Sequence, residues 1–174
     1  MRIALIVGIN YYDHSGSLYG CINDAYAVKS VLARHDGGAI NFDCKLMTGT
    51  GPTEKVSRSK LKDQIEELFK TDAEVALFYF AGHGHIEASG GYLLATDSSR
   101  GDEGVSLSEI LTFANNSPAK NKIIILDSCH SGIAGTAPVI GQIASLSEGL
   151  TVLTASTQEQ YASEEDGRGV FTTL

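Results

Sequence analysis

The sequence predicts an α/β fold in which helices cover both faces of a mainly parallel sheet. Apolar runs alternate along the chain with segments that have helical periodicity, which is typical of strand–helix units. Two of these runs, Val75–Ala81 and Lys122–Leu126, are almost continuously apolar, as expected for parallel strands buried on both faces. With 174 residues, of which 43% are apolar, the chain is large enough for one core, and we expect a single domain over residues 1–174.

The first half of the chain contains two predicted strand–helix units. A β-branched run predicts the first strand, and apolar residues at helical spacing predict each helix. Asn and Asp are favoured helix caps, and Gly37-Gly38 would end the first helix. The elements expected here are a strand over Arg2–Ile9, a helix capped by Asn23 or Asp24 that continues to about Arg34, a short strand over Phe42–Met47, and a helix with apolar residues at Leu61, Ile65, Leu68 and Phe69.

The second half contains the two apolar strands and their connections. Gly90-Gly91 before an apolar run suggests a small hairpin, although a plain loop is nearly as compatible with the sequence. Ser106 followed by Glu109 fits a capping box. The elements expected here are the strand Val75–Ala81, this hairpin or loop, a helix from the capping box to about Asn115, the strand Lys122–Leu126 and a strand over Leu150–Ala155.

Composition and charge exclude several functional classes. The formal net charge of -8 and the pI near 5.0 disfavour a nucleic-acid partner, because such proteins concentrate Lys and Arg on one face. The apolar runs are too short to cross a bilayer, and the first residues do not resemble a cleavable signal. We therefore expect a cytoplasmic protein with no membrane partner. Cys21, Cys44 and Cys129 have no metal-site spacing, so neither a zinc site nor a disulfide framework is expected.

The residues with the strongest chemical potential follow the two apolar strands. Cys129 comes directly after Lys122–Leu126 and Asp127-Ser128, and His83 follows Val75–Ala81 within Gly82-His83-Gly84. Open α/β sheets place their functional residues at the carboxyl ends of the strands, so neighbouring strands would bring this cysteine and histidine together. A thiol needs such a partner to become a nucleophile at neutral pH. The backbone amides of Gly84 and Cys129 could then form an oxyanion hole.

These motifs resemble those of a known family. Tyr79-Phe80-Ala81-Gly82-His83-Gly84 together with Asp127-Ser128-Cys129-His130-Ser131-Gly132 is similar to the caspase-fold cysteine peptidases, and most similar to their bacterial, metacaspase-like branch. The resemblance extends over nearly the whole chain and implies a three-layer caspase-like fold. It also implies that Cys129 is the nucleophile, that His83 is the general base and acid, and that the domain lacks a C-terminal helix and strand that the family normally has.

The resemblance further implies which peptide bond is cut. In metacaspases two aspartates line the pocket for the side chain before the scissile bond, and their counterparts here are Asp24 and Asp127. Such carboxylates favour Arg or Lys, which they can pair with and hydrogen-bond. Asp24 as a simple helix cap is the alternative.

Three further residues are candidates for substrate binding. Cys21 precedes Asp24 in the same loop and would line the pocket wall, although a structural role is nearly as compatible. His85 stands where metacaspases tend to have a small serine, and it could narrow the pocket or repel a basic side chain when protonated. Ser156 lies in the segment where the family binds substrate backbone.

The expected protein is therefore a cysteine endopeptidase that cleaves after Arg or Lys, and two alternatives stay open. One alternative is a non-catalytic signalling or interaction module of the same fold. The other is a different reaction of the same dyad, such as transpeptidation or hydrolysis of a small amide. Some metacaspases require calcium, and Asp97 with Asp102 could be interpreted as ligands, but an ordinary polar turn fits them better and no cofactor is assigned. The resemblance to metacaspases predicts a monomer.

Overall fold

The computed structural model describes residues 1–100, 103–132, 147–154, 164–165 and 168–169, with side chains described for residues 1–100, 103–128 and 147–154. A seven-stranded sheet forms the centre of the molecule. Its strands are β1 (Arg2–Ile9), β2 (Asp43–Gly49), β3 (Val75–Glu87), β4 (Gly90–Leu93), β5 (Val105–Ser106), β6 (Asn121–Gly132) and β7 (Leu150–Thr154). Two short strands, β8 (Glu164–Glu165) and β9 (Arg168–Gly169), pair with each other.

The main part of the sheet is parallel, as the sequence predicts. β1 pairs with β2 and β3, β3 pairs with β6, and β6 pairs with β7, all in parallel. β4 and β5 are antiparallel strands. β1 pairs with β3 only as far as Ala81, and β4 pairs with the same edge of β3 further along, from Gly84 to Glu87. The predicted hairpin at Gly90-Gly91 is therefore present, and Gly90 has a φ of 131°, which favours glycine.

Helices cover both faces of the sheet and give it three layers. They are α1 (Cys21–Ala33), α2 (Arg58–Lys70) and α3 (Leu107–Asn115). On one face, α1 packs through Cys21 and Ala25 against strand residues that include Leu77 and Tyr79. The larger core lies on the other face, where α2 and α3 contribute residues such as Leu61, Ile65 and Ile110. Within the part of the chain that the structure describes, no helix is both long and apolar enough to cross a membrane.

Two helix starts differ from the sequence prediction. α1 begins at Cys21 with Gly20 as its N-cap, and the backbone N–H of Asp24 donates to the Gly20 carbonyl at 3.0 Å. Asn23 and Asp24 therefore lie in the first turn of the helix, and the prediction that one of them caps it is wrong. Ser106 is the N-cap of α3, as the sequence predicts, but its side chain makes no capping hydrogen bond.

The two central strands are longer than their apolar runs. β3 continues through Gly82-His83-Gly84 to Glu87, and β6 continues through Cys129 to Gly132. Each extension is the pairing partner of the other, so the hydrogen-bond ladder continues beyond the point where the apolar pattern stops. The histidine and the cysteine thus lie within paired strands, not in the loops after them.

Candidate active site

The extended pairing of β3 with β6 brings the two predicted catalytic residues together. In the parallel register His83 is the Cα partner of Cys129, between the pairs Ala81 with Asp127 and His85 with Ser131. Adjacent strands in a sheet lie about 4.8 Å apart. The prediction that the strand of His83 is the sheet neighbour of the strand of Cys129 is confirmed. The Cys129 side chain lies outside the described part of the chain.

The imidazole of His83 is held by the loop between β1 and α1. Its Nε2 atom lies 2.7 Å from the Gly16 carbonyl oxygen. A carbonyl oxygen only accepts hydrogen bonds, so Nε2 carries the ring proton, and Nδ1 is then the nitrogen with a free lone pair. This tautomer suits a general base that works through Nδ1, because an added proton there creates an imidazolium whose charge the Gly16 carbonyl stabilises.

Tyr12 supports the same histidine from a second side. Its hydroxyl oxygen accepts the backbone N–H of His83 at 2.8 Å, and the two rings lie with their centroids 4.6 Å apart and tilted by 48°. Tyr12 is only 3% exposed, so this arrangement is part of the core. Gly82 makes room for it, because a Cβ atom there would lie 2.5 Å from the Tyr12 hydroxyl.

The roles of Tyr12 and Gly16 are not predicted by the sequence. Both contacts join residues far apart in the chain, by 71 positions for Tyr12 and 67 for Gly16, and both come from a loop without periodicity. A possible signal was the pair of glycines around His83, since glycine in a strand often marks the close approach of another group.

The two predicted pocket aspartates are buried beside the α1 face of the sheet. Asp24 is 2% exposed and Asp127 is 7% exposed. The Tyr79 hydroxyl donates to an Asp127 carboxylate oxygen at 3.3 Å. Asp24 lies between Cys21 and Ala25, which pack in the same cluster as Tyr79. Both residues therefore lie on the α1 side of the sheet, and their joint role in one substrate pocket stays a prediction.

A glycine in β1 allows the first turn of α1 to carry Asp24 into this region. A Cβ atom on Gly8 would lie 2.5 Å from the Cys21 carbonyl oxygen and 2.8 Å from the Ala25 Cβ atom. Cys21, the first residue of α1, is 7% exposed and packs against the sheet. This packing fits the structural alternative for Cys21 and leaves its role at the pocket wall a prediction.

His85 follows His83 by two residues on β3, so both lie on the same face of the strand, and His85 is only partly exposed. Its Nε2 atom is 4.0 Å from a Glu87 carboxylate oxygen. A carboxylate at that distance would offset part of the repulsion that a protonated His85 exerts on a basic substrate side chain. The expected influence of His85 on specificity stays a prediction.

Gly84 lies inside the sheet and not in a loop. Its Cα partners are Leu93 in β4 and His130 in β6. An oxyanion donor must direct its N–H towards the substrate. The oxyanion role of the Gly84 and Cys129 amides stays a prediction.

Two other predictions concern residues that are only partly described. Ser156 lies outside the described residues. Asp97 accepts the backbone N–H of Arg58 at 2.8 Å, near the start of α2, whereas Asp102 is outside the described residues. Among the side chains that the structure describes, no group of three or more His, Cys, Asp or Glu residues converges as a metal site.

Fold and site together define the class of this protein. A three-layer α/β protein with histidine and cysteine on paired central strands has the layout of a caspase-type cysteine peptidase. The chain belongs to the caspase domain family of C14 peptidases, whose sequence profile matches residues 1–173.

Individual relatives agree with this assignment. The chain is 26% identical over 146 residues to metacaspase-9 of Arabidopsis thaliana, covering 75% of this chain and 43% of that protein. It is 28% identical over 163 residues to metacaspase-1A of Aspergillus terreus, covering 80% of this chain and 38% of that protein. The chain thus spans about two fifths of the length of these relatives. The comparisons support a caspase-like cysteine peptidase.

A solved structure shows the same fold. The crystal structure of protein GSU0716 from Geobacter sulfurreducens superposes with a TM-score of 0.75 at 17% sequence identity. The match covers 99% of this chain and 80% of that one. This similarity confirms the predicted three-layer caspase-like fold.

Proposed function

We propose that this protein is a cysteine endopeptidase that cleaves after Arg or Lys with a Cys129/His83 dyad. The observation that carries the proposal is the register of β3 and β6, in which His83 and Cys129 are Cα partners. The tautomer of His83 supports the proposal, because Nε2 donates its hydrogen bond to the Gly16 carbonyl and Nδ1 is then the nitrogen that can accept a proton. Membership of the caspase domain family agrees with this chemistry.

The reaction follows from these groups. Nδ1 of His83 takes the thiol proton of Cys129, and the thiolate attacks the carbonyl carbon of the scissile bond. The tetrahedral intermediate then collapses as the imidazolium returns the proton to the leaving amine, which gives a thioester on Cys129. Water, deprotonated by His83, hydrolyses the thioester and regenerates the thiol. The Gly16 carbonyl stabilises the imidazolium at each of these stages.

The preference for a basic residue rests on the two buried carboxylates. Asp24 and Asp127 are both buried, and Asp127 and the α1 residues that flank Asp24 pack on the same side of the sheet. In the proposed pocket, a guanidinium or ammonium group would meet both carboxylates. Charge-assisted hydrogen bonds of this kind contribute about 1.5–3 kcal/mol each. An aspartate side chain would instead be repelled by both carboxylates. The pocket therefore favours Arg and Lys and disfavours Asp.

The test uses fluorogenic peptides that end in Arg, Lys or Asp, with matched variants of the chain. We expect turnover after Arg and Lys by the wild-type protein, and its loss in Cys129→Ala and His83→Ala. Cys44→Ala is the matched control, because Cys44 is a free cysteine in β2, a strand that pairs with β1 and not with β3 or β6, and this variant should keep full activity. Turnover after Asp would contradict the two-carboxylate pocket. No turnover of any peptide would favour the non-catalytic module.

A further inference from the structure

The loop that holds His83 is attached to the body of the protein at its beginning. Residues 10–20, called the 10–20 loop below, connect β1 to α1. The Gly49 carbonyl accepts the N–H groups of Asn10 and Tyr11 at 3.0 and 3.1 Å, and the Thr96 carbonyl accepts the N–H of Asp13 at 2.8 Å. The loop is therefore fixed as far as Asp13, three positions before the carbonyl that binds His83, and again at Leu18, whose N–H donates to the Asn10 carbonyl at 2.8 Å.

The following residues have little packing to hold them. Residues 14–17 are all exposed, yet the Gly16 carbonyl among them must stay at 2.7 Å from Nε2 of His83. An exposed segment cannot be kept in place by apolar burial, so its polar contacts determine its position.

One ion pair supplies such a contact. The Lys55 ammonium donates to both carboxylate oxygens of Asp13, at 2.7 and 2.8 Å, and lies 6.0 Å from the centroid of the Tyr11 ring. The side chains are only 38% and 22% exposed. The hydrogen bond with Lys55 lowers the pKa of Asp13 and raises the pKa of Lys55, so both groups stay charged at neutral pH. The pair joins the 10–20 loop to a segment 42 residues away in the chain.

The position of Lys55 makes this contact stiff. The next residue, Val56, is 1% exposed, and it is bonded through both its N–H and its carbonyl to Thr96. Thr96 also holds the N–H of Asp13. Asp13 is thus bound through its backbone N–H to Thr96 and through its carboxylate to Lys55. Thr96 is itself hydrogen-bonded to Val56, the residue after Lys55, so both partners of Asp13 are held together.

We propose that the Asp13–Lys55 ion pair is a positioning clamp for the catalytic base. It holds the exposed part of the 10–20 loop so that the Gly16 carbonyl keeps the His83 imidazole oriented to take the Cys129 proton. Neither clamp residue touches the reacting atoms. This inference rests on the proposed function of His83, and it adds a residue, Lys55, that lies outside the caspase motifs of the sequence.

The experiment compares Lys55→Met with a matched control. Lys45→Met removes another lysine ion pair, between Lys45 and Glu67 at 3.3 Å, which lies at the far edge of the sheet and is more exposed. Kinetics with an Arg fluorogenic peptide give kcat and KM separately. The rate of Cys129 alkylation by iodoacetamide, measured by peptide mass spectrometry, reports thiol activation without any substrate.

We expect Lys55→Met to lower kcat roughly three- to tenfold with KM unchanged, since a partly exposed pair makes a modest contribution but misplacement of a catalytic group is costly. Alkylation of Cys129 should slow in parallel. Asp13→Asn should act in the same direction, Lys55→Arg should retain most activity, and the exchange of Asp13→Lys with Lys55→Asp should restore part of it. Urea unfolding checks that every variant is folded.

Several results would overturn the clamp. They are an unchanged kcat and alkylation rate in Lys55→Met, an effect confined to KM, or an equal loss in Lys45→Met. Failure of the proposed function looks different: if no peptide is cleaved, but Cys129 alkylation still depends on His83 and on Lys55, the clamp stands and the peptidase assignment falls.

Discussion

Replacement of Gly82 by alanine tests the link between the core and the catalytic base. The added Cβ atom would lie 2.5 Å from the Tyr12 hydroxyl and 2.9 Å from Cζ of Phe80, whereas ordinary contacts begin at 3.4 Å. Tyr12 is 3% exposed and Phe80 is 0% exposed, so neither ring has free space to move into. The Tyr12 hydroxyl would therefore be displaced from the His83 N–H that it accepts at 2.8 Å.

Two costs follow from this displacement. Overpacking contributes about 1–3 kcal/mol to the loss of folding free energy, and loss of the acceptor of the partly buried His83 N–H adds about 0.5–1.5 kcal/mol. The catalytic cost is separate. A shift of His83 by about 1 Å lowers kcat roughly a hundredfold, which is about 2.7 kcal/mol of barrier. We therefore expect a variant that still folds, with a lower urea midpoint and about 1% of the wild-type kcat.

The assay combines urea unfolding with kinetics on an Arg fluorogenic peptide. Gly37→Ala is the matched control, because a Cβ atom there meets nothing within 4 Å, and it should behave as the wild type. Tyr12→Phe removes the hydroxyl that the new methyl group would strike. The double variant should consequently lose less than the sum of the two single losses, because only the clash with Phe80 remains. Wild-type activity in Gly82→Ala, or strictly additive losses in the double variant, would refute this reasoning.

Other variants test the pocket and its supports. Asp127→Asn should lower kcat/KM for Arg peptides about tenfold to a hundredfold without creating turnover after Asp, because one charge-assisted bond is weakened; a gain after Asp would contradict the pocket. Tyr79→Phe should lower kcat/KM for Arg peptides about threefold to tenfold, since Asp127 loses a hydrogen-bond donor, and it should leave Cys129 alkylation unaffected. Gly8→Ala should reduce the urea midpoint by moving the first turn of α1, as the Cys21 carbonyl is only 2.5 Å from the new atom. Burial raises the pKa of Cys44 above the usual value of a cysteine thiol, so a smaller fraction of it is thiolate at neutral pH, and its alkylation should be slower than that of a solvent-exposed cysteine at pH 7.5.

The sequence predicted the elements whose signal is local. The runs Val75–Ala81 and Lys122–Leu126 are apolar because both faces of their strands are buried, and both lie within strands of the structure. The helix with Leu61 and Ile65 was equally clear, since its apolar residues recur at helical spacing and all of them are buried. Such patterns depend only on which residues face the core.

The features that the sequence did not predict depend on contacts between distant segments. β3 and β6 extend past their apolar runs because each supplies the other's hydrogen bonds, which no periodicity records. The start of α1 was placed at Asn23 or Asp24 because these residue types are common caps, but Gly20 accepts the first N–H instead. At the candidate site, the motifs indicated His83 and Cys129, whereas the supports Tyr12 and Gly16 come from an irregular loop.

The continuous ladder between β3 and β6 has a consequence for how such a protein could be switched. The histidine and the cysteine are Cα partners in one hydrogen-bonded ladder, so the distance between their backbones is fixed by the spacing of strands. Pulling them apart would require breaking sheet hydrogen bonds at the centre of the protein. The 10–20 loop, which orients the imidazole through Gly16, lies outside the sheet, and its residues 14–17 are exposed. The activity of the dyad is therefore easier to regulate by changing the orientation of the His83 imidazole than by changing the backbone distance between His83 and Cys129.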